Sequence, residues 1–364
     1  MSRPTAVSVF SGLGGLDYGV RLAGADVMLA TDADSSALSL LADAQGTETL
    51  QGDLPSLISA GDFQAAVPES PTLLVGGPPC TAFSHAGFWL DNKREGRDPA
   101  AGLLGSFVEA LRELRPAAFI MENVPGLRFK THRNRLDSLI NRARAAGYSV
   151  SHDVLNAAEF GVPQARRRLF VVGIRGGPQF PFEFTKRNHP RRSTGWAFDA
   201  LKDEDNPAEF DERPDGIHSK WLLEVPPGEN YIHLTDRGEH RESPFEYRSR
   251  YWSFLLKLHP DDVSPTIPAQ RVTYNGPFHW SNRHLRVREM ARLQMFPDSQ
   301  PLSQDVNLAR RHIGNAVPPI LAAWLTHAVL VHMGSVPRGQ IPDALTSSAM
   351  EEASFADVTA AYQG

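Results

Sequence analysis

The sequence holds a single cysteine, Cys80, in 364 residues. That scarcity excludes an internal disulfide framework and any zinc site built on several thiolates. No uninterrupted apolar run reaches the roughly 18 residues of a membrane span. Met-Ser-Arg-Pro leads directly into Ala6-Val7-Ser8-Val9-Phe10, strand-like and too short for a signal-peptide core. A soluble, cytoplasmic protein with no membrane partner is therefore expected. Charge of one sign is also scarce: 37 Lys and Arg face 42 Asp and Glu, a net of -5. This argues against a chain that coats nucleic acid over its whole surface. No repeat of about 20–50 residues is present, so solenoids and propellers are excluded.

What is there is ordinary globular composition, 41% hydrophobic and 22% charged, and length enough for about two domains. Charge is unevenly placed. Arg128 to Arg144 carries six basic residues against Asp137 alone, and Arg166 to Arg192 eight against Glu183 alone. These runs are candidate phosphate contacts. Asp199 to Asp215 reverses the sign, with eight acids to two bases, and no Lys or Arg follows Arg338. Such runs are most often solvated faces.

Strand-length apolar runs alternate with amphipathic stretches through the first half. The pattern predicts strands at Ala6–Phe10, Val27–Ala30, Leu73–Gly76, Ala117–Met121, Ser149–Leu155 and Leu169–Ile174. Helices are predicted at Gly15–Ala23, Ser35–Ala44, Leu103–Leu114 and Arg133–Ala146. Strand-helix alternation implies a doubly wound α/β unit. After Arg175 the rhythm gives way to short segments punctuated by Gly176-Gly177-Pro178, Pro190, Pro214 and Pro226-Pro227-Gly228. Helical spacing returns at Val287–Gln294 and Ile320–Met333. The predicted units are residues 1–175, a smaller irregular unit at 176–282, a return at 283–334, and an acidic, frayed tail at 335–364.

Four segments carry candidate chemistry. Phe10-Ser11-Gly12-Leu13-Gly14-Gly15 places glycines at a strand-to-helix turn, where positive φ and close approach to a ligand are needed. Asp32 ends the next strand, about where a ribose expects a carboxylate. The full GxGxxG spacing is absent, which leaves room for a ligand with one ribose and no pyrophosphate, such as S-adenosylmethionine; a tight structural turn stays open. Gly76-Gly77-Pro78-Pro79-Cys80 sits at the carboxyl edge of the sheet, in a stiffer loop than a packing cysteine requires. Met121-Glu122-Asn123-Val124 brings a carboxylate to the same edge. In Gln164-Ala165-Arg166-Arg167-Arg168, alternation sends Arg166 and Arg168 to one face.

These segments, in this order, resemble the cytosine-C5 DNA methyltransferases over nearly the whole chain. Phe10–Gly15 looks like that family's first motif, Asp32 its ribose acid and Gly52-Asp53 its adenine-side acid. Pro79-Cys80, Glu122-Asn123-Val124 and Gln164–Arg168 look like its nucleophile, ENV and QxRxR motifs. Arg288–Gln294 resembles the RExxRLQ helix and Gly314-Asn315-Ala316-Val317-Pro318 the closing GNxVP motif. The resemblance implies a Rossmann-like methyltransferase sheet with a small target-recognition domain at 176–282. It implies S-adenosylmethionine held by Phe10, Gly12, Leu13, Gly14, Gly15, Asp32, Ala33, Asp53, Leu54, Pro79, Asn315 and Val317. Cys80, Glu122, Arg166 and Arg168 are the implied catalytic residues. The partner is double-stranded DNA carrying a target cytosine, with a monomeric enzyme and an optional cognate restriction endonuclease. The basic Phe88–Pro99 segment, with Lys93, Arg94 and Arg97, is the implied mobile loop over DNA. No metal is called for.

The chemistry asks for these groups on its own account. Cytosine C5 is too electron-poor to attack a methyl sulfonium until a thiolate adds at C6, and Cys80 is the one thiol available. A carboxyl held protonated, Glu122, offsets charge at N3. Three departures stand out: Thr81 in place of the usual glutamine, Ser8 where an aspartate often stands, and His312 where glutamine often precedes the GN pair. The alternatives are an RNA cytosine methyltransferase, a silent regulatory relative and, distantly, a nicotinamide dehydrogenase. A second cysteine, in the Cys-Phe-Thr segment usual in the RNA branch, is absent.

Overall fold

The computed structural model describes residues 3–79, 99–185, 189, 191–202, 204–209, 212–238, 244–245, 251–337, 342, 354–360 and 362. Cys80, Thr81, Lys93, Arg94, Arg97, Lys186, Arg187, Asp203 and Asp211 lie outside the described residues.

The strands are β1 (Thr5–Val9), β2 (Asp26–Asp32), β3 (Thr49–Gln51), β4 (Leu73–Gly76), β5 (Ala118–Asn123), β6 (Tyr148–Asn156), β7 (Gln164–Ala165) and β8 (Arg167–Arg175), with the two-residue β9 (Ser264–Pro265), β10 (Phe278–His279) and β11 (Arg283–His284). The helices are α1 (Gly15–Leu22), α2 (Ser35–Gln45), α3 (Leu54–Ala60), α4 (Asp62–Ala66), α5 (Pro99–Leu114), α6 (Arg133–Ala145), α7 (Thr194–Phe198), α8 (Ser219–Glu224), α9 (Val287–Leu293), α10 (Val306–Asn315), α11 (Pro319–His332) and α12 (Phe355–Ala360). Seven strands form one sheet in the order β3-β2-β1-β4-β5-β8-β6. The pairs from β3 to β5 are parallel and β8 pairs antiparallel with both β5 and β6. The order reverses at β1, where β2 lies to one side and β4 to the other, so the ligand crevice of an open α/β sheet falls at the carboxyl ends of β1 and β4.

Helices cover both faces, which is why β4 and β5 are buried at every residue. Alternation divides them. Leu73, Val75, Ile120, Phe170 and Val172 pack with α1 and α11, while Leu74, Phe119, Met121, Leu169 and Val171 pack with α3, α5 and α6. The α1–α11 approach is close because α1 carries Gly19, where a Cβ would lie 2.3 Å from the Ala322 Cβ.

Three expectations need correction. The spacing in α11 suggests one buried face, yet every residue from Pro319 to Leu330 is buried. The sheet is on one side of α11, and Phe180, Phe182, Phe355 and Val358 belong to the same cluster. For the same reason the stretch Val306–His332, though long and apolar enough to cross a membrane, is 94% buried in its apolar window. Within the tail expected to fray, the described residues 354–360 include α12. Phe355 and Val358 are buried, Phe355 meets Trp196 and the Arg292 guanidinium, and Tyr362 packs on Tyr18 of α1. Acidic composition concealed these anchors.

The third correction concerns charge. Glu209 pairs with Arg310 and Glu212 with Arg286, so part of the acidic stretch turns inward rather than toward solvent. The basic runs are partly spent too. Arg128, Arg133 and Arg142 face Asp153, Asp137 and Glu109, and Arg192 is buried with its guanidinium 4.1 Å from the Trp196 ring.

Within residues 176–282, Leu222, Val225, Tyr231, Leu234, Leu255 and Phe278 form a separate apolar cluster. Two parts of this stretch nevertheless belong to the larger unit. Ala197 packs beneath α9, and β9 pairs in parallel with β7.

Candidate active site

The carboxyl edge gathers the predicted segments. After β1, Phe10 and Gly12 take left-handed backbone angles (φ 56° and 54°), and Gly14 does so at φ 79°. The turn is bound down by hydrogen bonds: Ser11 N–H donates to the Thr31 carbonyl (3.1 Å) and Gly14 N–H to the Ser11 carbonyl (3.0 Å). Above Gly12 there is open space, with nothing within 4 Å of where a Cβ would stand. Gly14 is backed by Gln45, whose Nε2 donates to the Gly14 carbonyl at 3.0 Å. At Gly15 a Cβ would lie 2.1 Å from the Val317 carbonyl oxygen, so the closing segment folds directly against the turn.

Asp32 is the crevice carboxylate. Its two oxygens accept Gly12 N–H and Asp34 N–H, each at 2.8 Å, so it shapes the turn. Burial pushes its carboxyl above the ordinary value, against these two donors. Ala33 and Asp53 are exposed at the same edge, with Asp53 accepting from Ser56 Oγ (3.1 Å). Leu13 and Leu54 are buried in core clusters, so their side chains face the core. Asn315 ends α10 in an exposed position and Val317 is buried in the core shared by α1 and α11.

Glu122 closes β5. It is 7% exposed, and Arg168 Nε lies 2.9 Å from its Oε1. The register explains the pairing: Phe170 stands opposite Glu122, and Arg168, two residues along, shares its face. Burial is the dominant influence and raises the Glu122 pKa, outweighing the Arg168 and Arg166 guanidiniums. The loop leading to Cys80 begins against this carboxyl. A Cβ on Gly77 would sit 3.2 Å from Glu122 Oε2, and Asn123 Nδ2 donates to the Pro78 carbonyl at 3.2 Å. Pro78 is buried and Pro79 exposed.

Arg166, implied with Arg168 to act on the base, its sugar-phosphate or Glu122, bears electrostatically on Glu122 but also reaches the closing segment. It is fully buried, and its Nη2 donates to the Gly314 carbonyl at 2.7 Å. Alternation puts it on the Arg168 side, but the closing segment occupies its reach. Beside it Gln164 Nε2 donates to the Leu293 carbonyl and to Gln294 Oε1, both at 3.2 Å, while Gln294 Nε2 donates to the carbonyls of Ile313 (2.8 Å) and Ala316 (3.3 Å). Ile267 N–H returns a bond to Gln164 Oε1 at 3.1 Å.

This order of segments around one sheet edge matches a single family pattern, that of the C-5 cytosine-specific DNA methylases, across residues 5–330. The chain belongs to that family. It is a DNA cytosine-C5 methyltransferase. Type II methyltransferase M.SacI of Streptomyces achromogenes is 40% identical, with 90% of this chain and 93% of that protein covered. M.MthTI of Methanothermobacter thermautotrophicus is 31% identical, covering 88% of this chain and 96% of the relative. In fold the methyltransferase is similar to a prophage-encoded DNA modification methyltransferase (E. coli) with TM-score 0.68, 22% identity and 91% and 99% coverage. The S. pombe Dnmt2 methyltransferase gives TM-score 0.65 at 17% identity, covering 92% of this chain and all of that one.

Several participants carried no sequence signal of their own. Asp34 caps α2 through Ser36 and Ala37, and receives His312 Nε2 (3.0 Å) and Arg311 (3.2 Å) from α10. Burial opposes ionisation there, but His312, Ala37 and Arg311 together hold Asp34 below its ordinary value. His312, a departure from the family pattern, thus ties α10 to the Asp32–Asp34 loop. Asp17, Gln45 and Glu209 were likewise unmarked.

Proposed function

We propose that Cys80 is the nucleophile of this methyltransferase, adding to C6 of a cytosine flipped out of a DNA duplex, with Glu122 as the acid at N3 and Arg168 holding Glu122. The observation that carries this reading is the tie between the two edges: Gly77 passes against the Glu122 carboxyl and Asn123 holds the Pro78 carbonyl, two residues before the thiol. Burial raises the Glu122 pKa against the pull of Arg168 and Arg166, the direction that favours the acid form needed to offset charge at N3. Thiolate addition makes C5 enamine-like and nucleophilic. Once C5 carries the methyl group, loss of its proton and elimination of the C6 thiolate free Cys80. Unstacking the base costs a few kcal/mol, which phosphate contacts repay.

The residues present fit S-adenosylmethionine: the space above Gly12 is open, Asp32 faces it, and Gly15 is backed by Val317. When bound there it supplies the methyl group as a sulfonium. Phe10, Gly12, Gly14, Asp32 and Asp53 would hold it, and Asn315 and Val317 would close the pocket from behind. Arg166 acts as a positioning residue for that closing segment.

Residues 176–282 carry sequence specificity in this reading, supported by their separate apolar cluster and by the exposed Tyr251 and Trp252 that follow Arg248 and Arg250 in sequence. The likeness to type II methyltransferases supports a role in modification beside a restriction endonuclease of the same target. Duplex DNA with 5-fluorocytosine at the target site should trap the protein in a denaturation-stable complex. Cys80→Ser should abolish both the complex and methylation while S-adenosylmethionine still binds. Bisulfite sequencing of DNA from expressing cells identifies that target beforehand; no trapped complex on it would sink the reading.

A further inference from the structure

Beneath the glycine turn lies a buried carboxylate that the reaction does not use. Asp17, in the first turn of α1, is 0% exposed. Ser8 Oγ on β1 donates to Asp17 Oδ2 at 3.0 Å, and Ser11 Oγ donates to Ser8 Oγ at 2.9 Å. Ser8 is itself fully buried. The chain therefore runs from α1, through the strand, to the residue immediately before Gly12. Asp17 Oδ1 has no hydrogen-bond partner among the described residues.

Such a group is costly. Burying a carboxyl with only part of its hydrogen bonding satisfied destabilises a fold, and an apolar side chain of similar size is the cheaper occupant. Burial indeed raises Asp17 to about 7, with the Ser8 hydrogen bond and Arg21 opposing and Asp32 assisting. Core packing alone gives no reason for an acid here, since Leu16 and Val20 on the same helix already fill the adjacent cluster. What the acid does hold is one hydroxyl, and through it Ser11, whose N–H and carbonyl both anchor the turn.

We infer that Asp17 is a positioning residue for the cofactor turn, acting through Ser8 and Ser11 to fix the backbone at Gly12. The inference rests on the reading of this turn as the S-adenosylmethionine site. Without the acceptor at Asp17, Ser8 Oγ is released to accept or donate elsewhere, Ser11 Oγ keeps only the longer bond to the Thr31 carbonyl (3.3 Å), and the left-handed backbone at Phe10 and Gly12 is held by fewer bonds. An unheld turn must be ordered at the moment of binding, which costs affinity rather than the rate of the chemical step.

The test separates this role from a structural one by the sign of two measurements. Asp17→Leu should leave the unliganded thermal midpoint equal or higher, because a desolvated carboxyl is gone, while calorimetric affinity for S-adenosylmethionine falls about tenfold, the loss of one charge-assisted hydrogen bond. KM for the cofactor should rise with kcat nearly unchanged. Asp17→Asn keeps a carbonyl acceptor for Ser8 and should restore affinity to within about threefold. Ser8→Ala, which leaves the carboxyl in place, should weaken binding as Asp17→Leu does, and the double variant should be no worse than either alone. Ser8→Ala also carries the test if Asp17→Leu does not fold. Wild-type affinity in Ser8→Ala, or additive losses in the double variant, would overturn the inference. Failure of the wild-type protein itself to bind S-adenosylmethionine would instead reject the assignment of the pocket.

Discussion

Arg166 and Gly314 are 148 residues apart in sequence and joined by a 2.7 Å hydrogen bond, with the guanidinium fully buried. The bond fastens the end of α10 to the strand that presents Arg168 to Glu122. Removing the donor leaves a buried carbonyl unpaired, a cost of about 1–3 kcal/mol. Arg166→Met is therefore expected to lower the thermal midpoint and weaken S-adenosylmethionine binding together. Unchanged cofactor affinity in calorimetry would return Arg166 to the substrate side of the site.

Glu122→Gln keeps shape and hydrogen bonding but removes the acid, so single-turnover methylation should slow by roughly 10²–10⁴-fold with DNA affinity little changed. The pH dependence has a definite sign. Burial raises the folded pKa of Glu122 above its unfolded value. The proton is thus bound more tightly in the folded state, and stability from this group declines as pH rises from the unfolded pKa through the folded one. Activity that needs the protonated acid should fall over the alkaline part of the same window. In Glu122→Gln both slopes should flatten, and a retained alkaline limb would assign it to another group.

Glu209 and Arg310 form an ion pair whose side chains are 6% and 3% exposed. Breaking one partner of such a pair costs about 3–5 kcal/mol because the other charge remains buried. Glu209→Gln should accordingly destabilise far more than Glu204→Gln, whose carboxylate pairs with Lys202 at the surface. Replacing Glu209 with Leu and Arg310 with Met together should recover much of the loss in a denaturation series. Equal effects at Glu204 and Glu209 would contradict the inward orientation.

Phe355 is 2% exposed and sits between Trp196 and the Arg292 guanidinium. Phe355→Ala is expected to cost about 3–5 kcal/mol, as for other buried aromatics. A chain ending at Ser354 should show a lowered thermal midpoint, whereas a tail that merely frays would leave it unchanged. Calorimetric unfolding of the two proteins decides the matter.

The sheet was legible because its central strands are short apolar runs with glycine or polar residues at their ends; Leu73–Gly76 coincides with the prediction. The gathering of the candidate residues at one edge was legible for a related reason, since Asp32, Glu122 and Arg168 fall at or beside strand ends and Gly12 in the turn after β1. What escaped notice is contact between distant segments. Ser8 is visible as a departure, but nothing in the sequence says that Asp17 meets it. β3 spans only Thr49–Gln51, too short for an alternation to register. α10 reads poorly because its polar residues, Arg310 and His312, are buried against Glu209 and Asp34 instead of facing water. Arg166 donates to a backbone carbonyl, which carries no residue signature.

The Val317 carbonyl lying against Gly15 has a consequence for biosynthesis. Translation must run from the first helix to the segment just before α11 before that contact can exist. A nascent chain with the whole central sheet already emerged still lacks the back wall of its glycine turn. In the proposed reading of that turn, modification capacity arrives as a step, and fragments that end short of Val317 add protein without adding methylation.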